Sequence, residues 1–160
     1  MEPSEAIVKA GFSKSIDDCD QKIRDAFPLV RAEFCAQLGA GYDLRCDYTY
    51  RSPALQFELF KKGRTQDEHG NWILTNRLER VTDKDGTVKK GEHNFYPSKA
   101  ADVYITKDGA ILWPLQKDSP LYAERSALYI ALGRIWEKHG LVSGATWKFA
   151  WKDEPHVQLA

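Results

Sequence analysis

The chain has 160 residues, and 42 % hydrophobic content with 12 % aromatics is enough to bury one core, so we expect a single domain spanning residues 1–160. The 23 basic and 23 acidic side chains cancel to a net charge of zero, which argues against a nucleic-acid partner. The N-terminus is acidic where a signal peptide is basic, and no stretch approaches membrane-spanning length. We therefore expect a protein made in the cytoplasm that does not insert into a membrane.

The first predicted elements are a long helix and a strand. Ser15 can cap a helix whose apolar residues recur at three- and four-residue steps, and Gly39 and Gly41 end it. Residues 44–50 then alternate between polar and apolar in the manner of a strand with one face on a core.

A short helix and a long loop follow this strand. Ser52 supplies an N-cap and Pro53 the first helical position of a helix that ends near Gly63. This start places Arg51 at a strand-to-helix junction. Residues 64–92 are polar and rich in Asp, Lys, Gly and Thr, which predicts a long, partly ordered loop.

The second half of the chain mixes strands with one strong helix. We predict strands at 101–105 and 111–113, a helix from about Ser119 to Gly140, and final strands at 146–151 and 156–159. Because helices and strands come in mixed order, the expected class is α+β with a mainly antiparallel sheet.

The three cysteines, Cys19, Cys35 and Cys46, are an odd number at wide spacing. Such spacing fits neither a disulfide framework nor a CxxC metal site. We expect all three to be buried apolar side chains.

Several residues have the chemistry of a zinc hydrolase. Such enzymes need about three protein ligands, and they leave one position for a water whose pKa falls to roughly 7. His93 and Asp102 bracket a loop that enters a predicted strand, and His156 begins a neighbouring one. Asp153, three residues before His156, is placed to accept a proton, and Glu154 competes for that role. Spacing alone leaves open whether these are ligands or ordinary hydrogen-bonded residues.

An ordered series of segments covers about two thirds of the chain. They are residues 50–52, 62–64, 93–94, 100–103 and 153–156, together with Gln56, Trp147 and Phe149. Together they resemble the zinc D-Ala-D-Ala carboxypeptidase and L-alanyl-D-glutamate peptidase family, which includes many phage endolysins. The resemblance implies a small antiparallel sheet flanked by helices, the Hedgehog/DD-peptidase-like fold.

The resemblance also implies roles for individual residues. His93, Asp102 and His156 would bind one zinc ion, and Asp153 would be the general base. Arg51 matches the arginine of the family's Tyr-Arg-Ser motif, which stabilises the developing oxyanion or the substrate carboxylate.

Four residues are predicted to contact the substrate: Arg51, Gln56, Ser98 and Trp147. For Gln56 the alternative is an amide that hydrogen-bonds a nearby loop and holds the site in shape. Ser52 is interpreted as an N-cap rather than a nucleophile. The tryptophans Trp113 and Trp136 are expected in the core, and only Trp147 and Trp151 are considered for the cleft wall.

The chain departs from the family pattern ahead of Asp102. Gly91 stands where the family has a serine, and Asp102 comes nine places after His93 instead of seven. A bulged loop with Pro97 and Ser98 in place of the usual glycine turn can absorb two extra residues. We expect the metal site to survive and any substrate contact of the missing serine to be lost.

The expected function is a zinc-dependent peptidoglycan peptidase of endolysin type, with the L-alanyl-D-glutamate bond of the stem peptide as its substrate. A D-Ala-D-Ala carboxypeptidase or dipeptidase and a non-catalytic zinc-stabilised wall-binding domain are the alternatives. The lack of an export signal favours an endolysin, which reaches the wall after membrane permeabilisation.

A basic cluster within residues 61–90 is interspersed with acids and favours a solvated loop over a nucleic-acid site. We expect a monomer.

Overall fold

Four α-helices lie in the part of the chain that the structure describes, which is residues 2–148 and 152–160 of a computed structural model. Three of them begin at polar side chains that accept a hydrogen bond from the first turn: Ser4, Asp20 and Ser52. The helices are α1 (Glu5–Ala10), α2 (Gln21–Leu38), α3 (Pro53–Lys61) and α4 (Tyr122–Lys138).

The strands form one antiparallel sheet and a separate hairpin. The sheet has the order β1 (Tyr42–Tyr48), β4 (Ala100–Lys107), β7 (His156–Leu159) and β6 (Leu141–Ser143), and β5 (Ala110–Ile111) pairs with the far end of β4. The hairpin joins β2 (Arg64–Gln66) to β3 (Trp72–Leu74). The predicted α+β class with a mainly antiparallel sheet is therefore confirmed.

The two faces of the sheet have different surroundings. Ala101, Val103 and Ile105 of β4 are fully buried in the core cluster, which also contains the inner faces of α2 and α4. Side chains alternate along a strand, so Asp102 and Tyr104 point to the opposite face. Helices therefore cover one face of the sheet, and the polar residues lie on the other.

Several element boundaries differ from those predicted. Ser15 caps only a short 3-10 turn (Ile16–Asp18), and α2 starts after Asp20, whose carboxylate accepts from the backbone N–H of Lys22 at 3.0 Å. The predicted loop at 64–92 contains the β2–β3 hairpin. The predicted strand at 146–151 begins instead with a 3-10 turn (Gly144–Thr146), and its residues 149–151 lie outside the described part.

Two expectations about buried residues are partly wrong. Cys19 is fully buried, but Cys35 and Cys46 are only partly buried. Trp136 is in the core as expected, whereas Trp113 is 53 % exposed and its ring packs against Tyr104, on the face of the sheet opposite the core. Within the described residues, no helix has the length and apolar character needed to cross a membrane.

Candidate metal centre

Strand pairing brings Asp102 and His156 together. The two residues are direct partners across the antiparallel β4–β7 pair, so their side chains project from the same face. On the other side of β4, the register shifts between Cys46 and Tyr48, and this bulge places Tyr48 opposite Asp102. The sheet therefore concentrates these side chains at one end of β4.

His93 reaches the same point from a 3-10 turn (Glu92–Asn94). The turn is tied to the chain after β1, because the backbone N–H of Arg51 donates to the His93 carbonyl at 2.8 Å and the Asn94 amide donates to the Arg51 carbonyl at 2.9 Å. The nine-residue step from His93 to Asp102 thus still brings both side chains to one site.

Three atoms form a nearly regular triangle. His93 Nε2 lies 3.2 Å from His156 Nδ1 and 3.3 Å from Asp102 Oδ1, and His156 Nδ1 lies 3.4 Å from Asp102 Oδ1. Zinc bonds of about 2.0–2.1 Å in tetrahedral geometry separate neighbouring ligand atoms by about 3.3 Å. The side chains are 9 %, 14 % and 9 % exposed for His93, Asp102 and His156. The triangle therefore has the size of a metal-ligand set in a largely buried location.

The outer nitrogens of both imidazoles have hydrogen-bond acceptors. His93 Nδ1 lies 2.6 Å from the Thr49 carbonyl oxygen, and His156 Nε2 lies 2.9 Å from Gln158 Oε1. The Thr49 carbonyl can only accept, so His93 carries an N–H on Nδ1, and Gln158 Oε1 offers His156 Nε2 the same kind of acceptor. With the N–H on these outer nitrogens, the inner nitrogens are left to bind a cation beside Asp102. A proton can join only two of the three inner atoms, whereas a cation can bind all three. Two nitrogens and one carboxylate oxygen suit zinc.

Asp102 and His156 of this cluster shift each other's pKa values. Burial alone would raise the pKa of Asp102, but the charges and hydrogen bonds of His93 and His156 outweigh burial and lower that pKa. Burial alone would lower the pKa of His156, but the hydrogen bond and charge of Asp102 raise it. Asp102 therefore stays ionised, as a metal ligand must be, and a cation bound here would compete with a proton for the inner nitrogen of His156.

The two candidate bases, Asp153 and Glu154, have different surroundings in the structure. Burial, followed by the negative charge of Asp102, raises the pKa of Asp153, and the positive charges of His156, His93 and Arg51 act against that rise. Asp153 is therefore within electrostatic reach of the whole cluster. Glu154 is buried, and among the described residues its Oε1 has no hydrogen-bond partner. Its charge acts on Tyr129 of α4, whose pKa is raised to about 12, mainly by burial.

Arg51 stands beside the cluster and is held by Gln56. Arg51 Nη2 lies 3.7 Å from Asp102 Oδ2, and Nη1 donates to Gln56 Oε1 at 3.0 Å. The Gln56 amide is buried, and its nitrogen donates to the Lys84 carbonyl at 2.9 Å. Gln56 thus matches the alternative interpretation, an amide that hydrogen-bonds a loop and orients a neighbour. Among the described residues the buried Arg51 Nε has no hydrogen-bond partner.

No family model matches the chain, and no curated protein matches it.

The remaining predicted substrate contacts have different outcomes. Ser98 is fully buried, and its hydroxyl lies 2.9 Å from the Thr49 carbonyl and 2.7 Å from the Ala100 carbonyl, so it braces the chain and is not available to a substrate. The half-buried Trp147 ring lies 5.6 Å from the His156 ring, at the edge of the cluster. The Ser52 hydroxyl caps α3, as predicted. Phe149 and Trp151 lie outside the described residues.

Two residues of the site were not predicted. Gln158 lies two places after His156 on β7 and therefore on the same face, so strand alternation was the available signal. Gly144 had no such signal: a Cβ built there would lie 2.1 Å from the Asp153 carbonyl oxygen. Only a glycine lets the turn at Gly144 pack this closely against the chain at Asp153.

Replacing Gln158 with leucine should lower zinc affinity by about 10- to 100-fold, because His156 would lose the acceptor that fixes its tautomer. Competition with a calibrated zinc chelator measures this change. Gln66→Leu on the exposed β2 strand is the matched control and should bind zinc as the wild type does. Equal affinity in both variants would show that Gln158 does not orient the ligand.

Proposed function

We propose that this chain is a zinc-dependent peptidase that cleaves a peptide bond of the bacterial peptidoglycan stem. The observation that carries the proposal is the triangle of His93, Asp102 and His156, whose inner atoms are 3.2–3.4 Å apart and whose outer nitrogens have acceptors. A purely structural zinc site is closed by four protein ligands, whereas three ligands leave a position open for chemistry. The three-residue set found among the described residues fits the second kind.

Each polar residue around the triangle then has a task. Zinc held there would polarise the scissile carbonyl and lower the pKa of a water to about 7. Asp153 takes a proton from the attacking water and returns it to the leaving amine. Its raised pKa suits this exchange because a base works best when its pKa lies nearer the working pH. Arg51 donates to the carbonyl oxygen as negative charge develops, or to a substrate carboxylate.

The choice of substrate rests on the family resemblance. The segments that carry it contain Arg51, the three proposed ligands and Asp153, and these residues surround one site. A sheet with helices on one face and the metal centre on the other also suits the proposed Hedgehog/DD-peptidase-like fold. We therefore propose an endolysin-type L-alanyl-D-glutamate endopeptidase that acts as a monomer on the wall once the membrane is permeabilised.

Mass spectrometry of fragments from defined stem peptides tests this function. After zinc reconstitution, the protein should split the stem between L-Ala and D-Glu and leave a new amine on D-Glu. Release of a terminal D-Ala instead would make it a carboxypeptidase of the same family. If zinc binds with one-to-one stoichiometry and no stem or crosslinked peptide is cut, the proposal of an enzyme fails and the non-catalytic zinc domain replaces it.

A further inference from the structure

A large aromatic side chain stands exposed on the same face of the sheet as the metal centre. Trp113 is 53 % exposed, and its ring packs edge-on against Tyr104 with the centroids 4.9 Å apart. Tyr104 lies two places after Asp102 on β4, so both side chains project from one face. An exposed tryptophan beside a candidate site is a typical recognition residue, because its rigid ring offers much apolar area.

The backbone around Trp113 is held in place. The Leu112 N–H donates to the Ile105 carbonyl at 2.8 Å, and the Leu112 carbonyl accepts from the Tyr129 hydroxyl at 2.8 Å. The Trp113 carbonyl accepts from Arg125 Nη1 at 2.6 Å. These bonds tie Leu112 and the Trp113 backbone to β4 and α4, so the ring is exposed without being loosely attached.

The aromatic pair borders the reacting residues. The Val103 N–H donates to the Pro155 carbonyl at 2.8 Å, which places the Asp153–Pro155 part of the chain beside the middle of β4. In agreement with this placement, burial and then the charges of nearby acids, Asp102 and Asp153 among them, raise the pKa of Tyr104. Two strand residues span about 7 Å, roughly the length of two peptide residues of a substrate.

We propose that Trp113, backed by Tyr104, is a specificity-determining contact that packs against the aliphatic part of the stem peptide next to the scissile bond. This inference rests on the proposed function. Because the sugar joins the stem at L-Ala, one residue from the proposed scissile bond, a sugar-free stem peptide is the substrate that separates a peptide contact from a sugar contact. Tyr104 acts as a positioning residue because it supports the indole ring from the side.

The test compares Trp113→Ala with the wild type on a sugar-free stem peptide, with both proteins loaded with zinc. We expect KM to rise about tenfold with kcat within about twofold, because the contact is made equally before and during the reaction. Trp113→Phe should recover most of the loss because it keeps an aromatic face. Leu29→Ala is the control: Leu29 is 57 % exposed on α2, on the helical side of the sheet.

Binding gives a second readout that does not need turnover. In an Asp153→Asn background, calorimetry should show the same stem peptide binding about tenfold more weakly once Trp113 is also alanine. An unchanged KM and unchanged binding would overturn the inference while leaving the proposed function intact. A loss confined to sugar-linked peptide would assign the contact to the glycan and equally overturn it. If the wild type cleaves no stem peptide, the proposed function itself fails, and the inference fails with it.

Discussion

Alanine at His156 is expected to remove bound zinc and to reduce hydrolysis to below about 1 % of the wild type, since even the loss of a residue that orients a ligand costs 10- to 100-fold. His156 supplies one of three inner atoms, and Asp102 with His93 alone cannot complete a catalytic zinc site. There are two readouts. The first is the amount of zinc per chain after dialysis, measured by inductively coupled plasma mass spectrometry, and the second is the rate of hydrolysis of a stem peptide.

The control for this substitution is another histidine. His69 lies on the β2–β3 hairpin loop with a side chain 74 % exposed, so His69→Ala should keep both zinc and rate. Circular dichroism shows whether each variant is folded, and zinc is counted only on folded protein. A folded His156→Ala protein that retains one zinc ion and full activity would contradict the site assigned here.

Asparagine at Asp153 should leave zinc bound and lower kcat by about 10²- to 10⁴-fold, the usual contribution of a general base. The amide has nearly the shape of the carboxylate but does not accept a proton, so KM should change little. Steady-state kinetics on the stem peptide, with zinc content measured on the same sample, separates a lost base from a lost metal.

Glu154→Gln is the matched control, because this neighbouring acid is buried and acts electrostatically on Tyr129. We expect it to keep most of the rate. The opposite pattern, with Glu154→Gln inactive and Asp153→Asn active, would transfer the role of base to Glu154.

The three residues that could hold a metal ion were predicted together because they lie in short segments of fixed order. The sequence predicted that a nine-residue step from His93 to Asp102 is tolerated, and the structure brings the two residues together. The α4 helix was also predictable, since its apolar residues recur along most of its length. The helix prediction depends on local spacing, which a single sequence displays directly. The ligand set was chosen by resemblance to a family, because spacing alone left it open.

Other features depend on tertiary pairing and could not be predicted. Ser15 and Asp20 are both good N-caps, and only the folded chain decides that α2 starts after Asp20. Trp113 follows a short strand, and periodicity does not reveal which face of the sheet its ring will join. Ser98 is polar and was predicted to contact the substrate. In the structure its hydroxyl instead donates a hydrogen bond to the Thr49 carbonyl, which is distant in sequence.

The most direct test is a crystal structure of the zinc-loaded protein with diffraction data recorded on both sides of the zinc absorption edge. The account predicts one anomalous peak at about 2.0–2.2 Å from His93 Nε2, His156 Nδ1 and Asp102 Oδ1. Zinc that binds stoichiometrically but is held by other residues, or by the outer nitrogens that face Thr49 and Gln158, would contradict it.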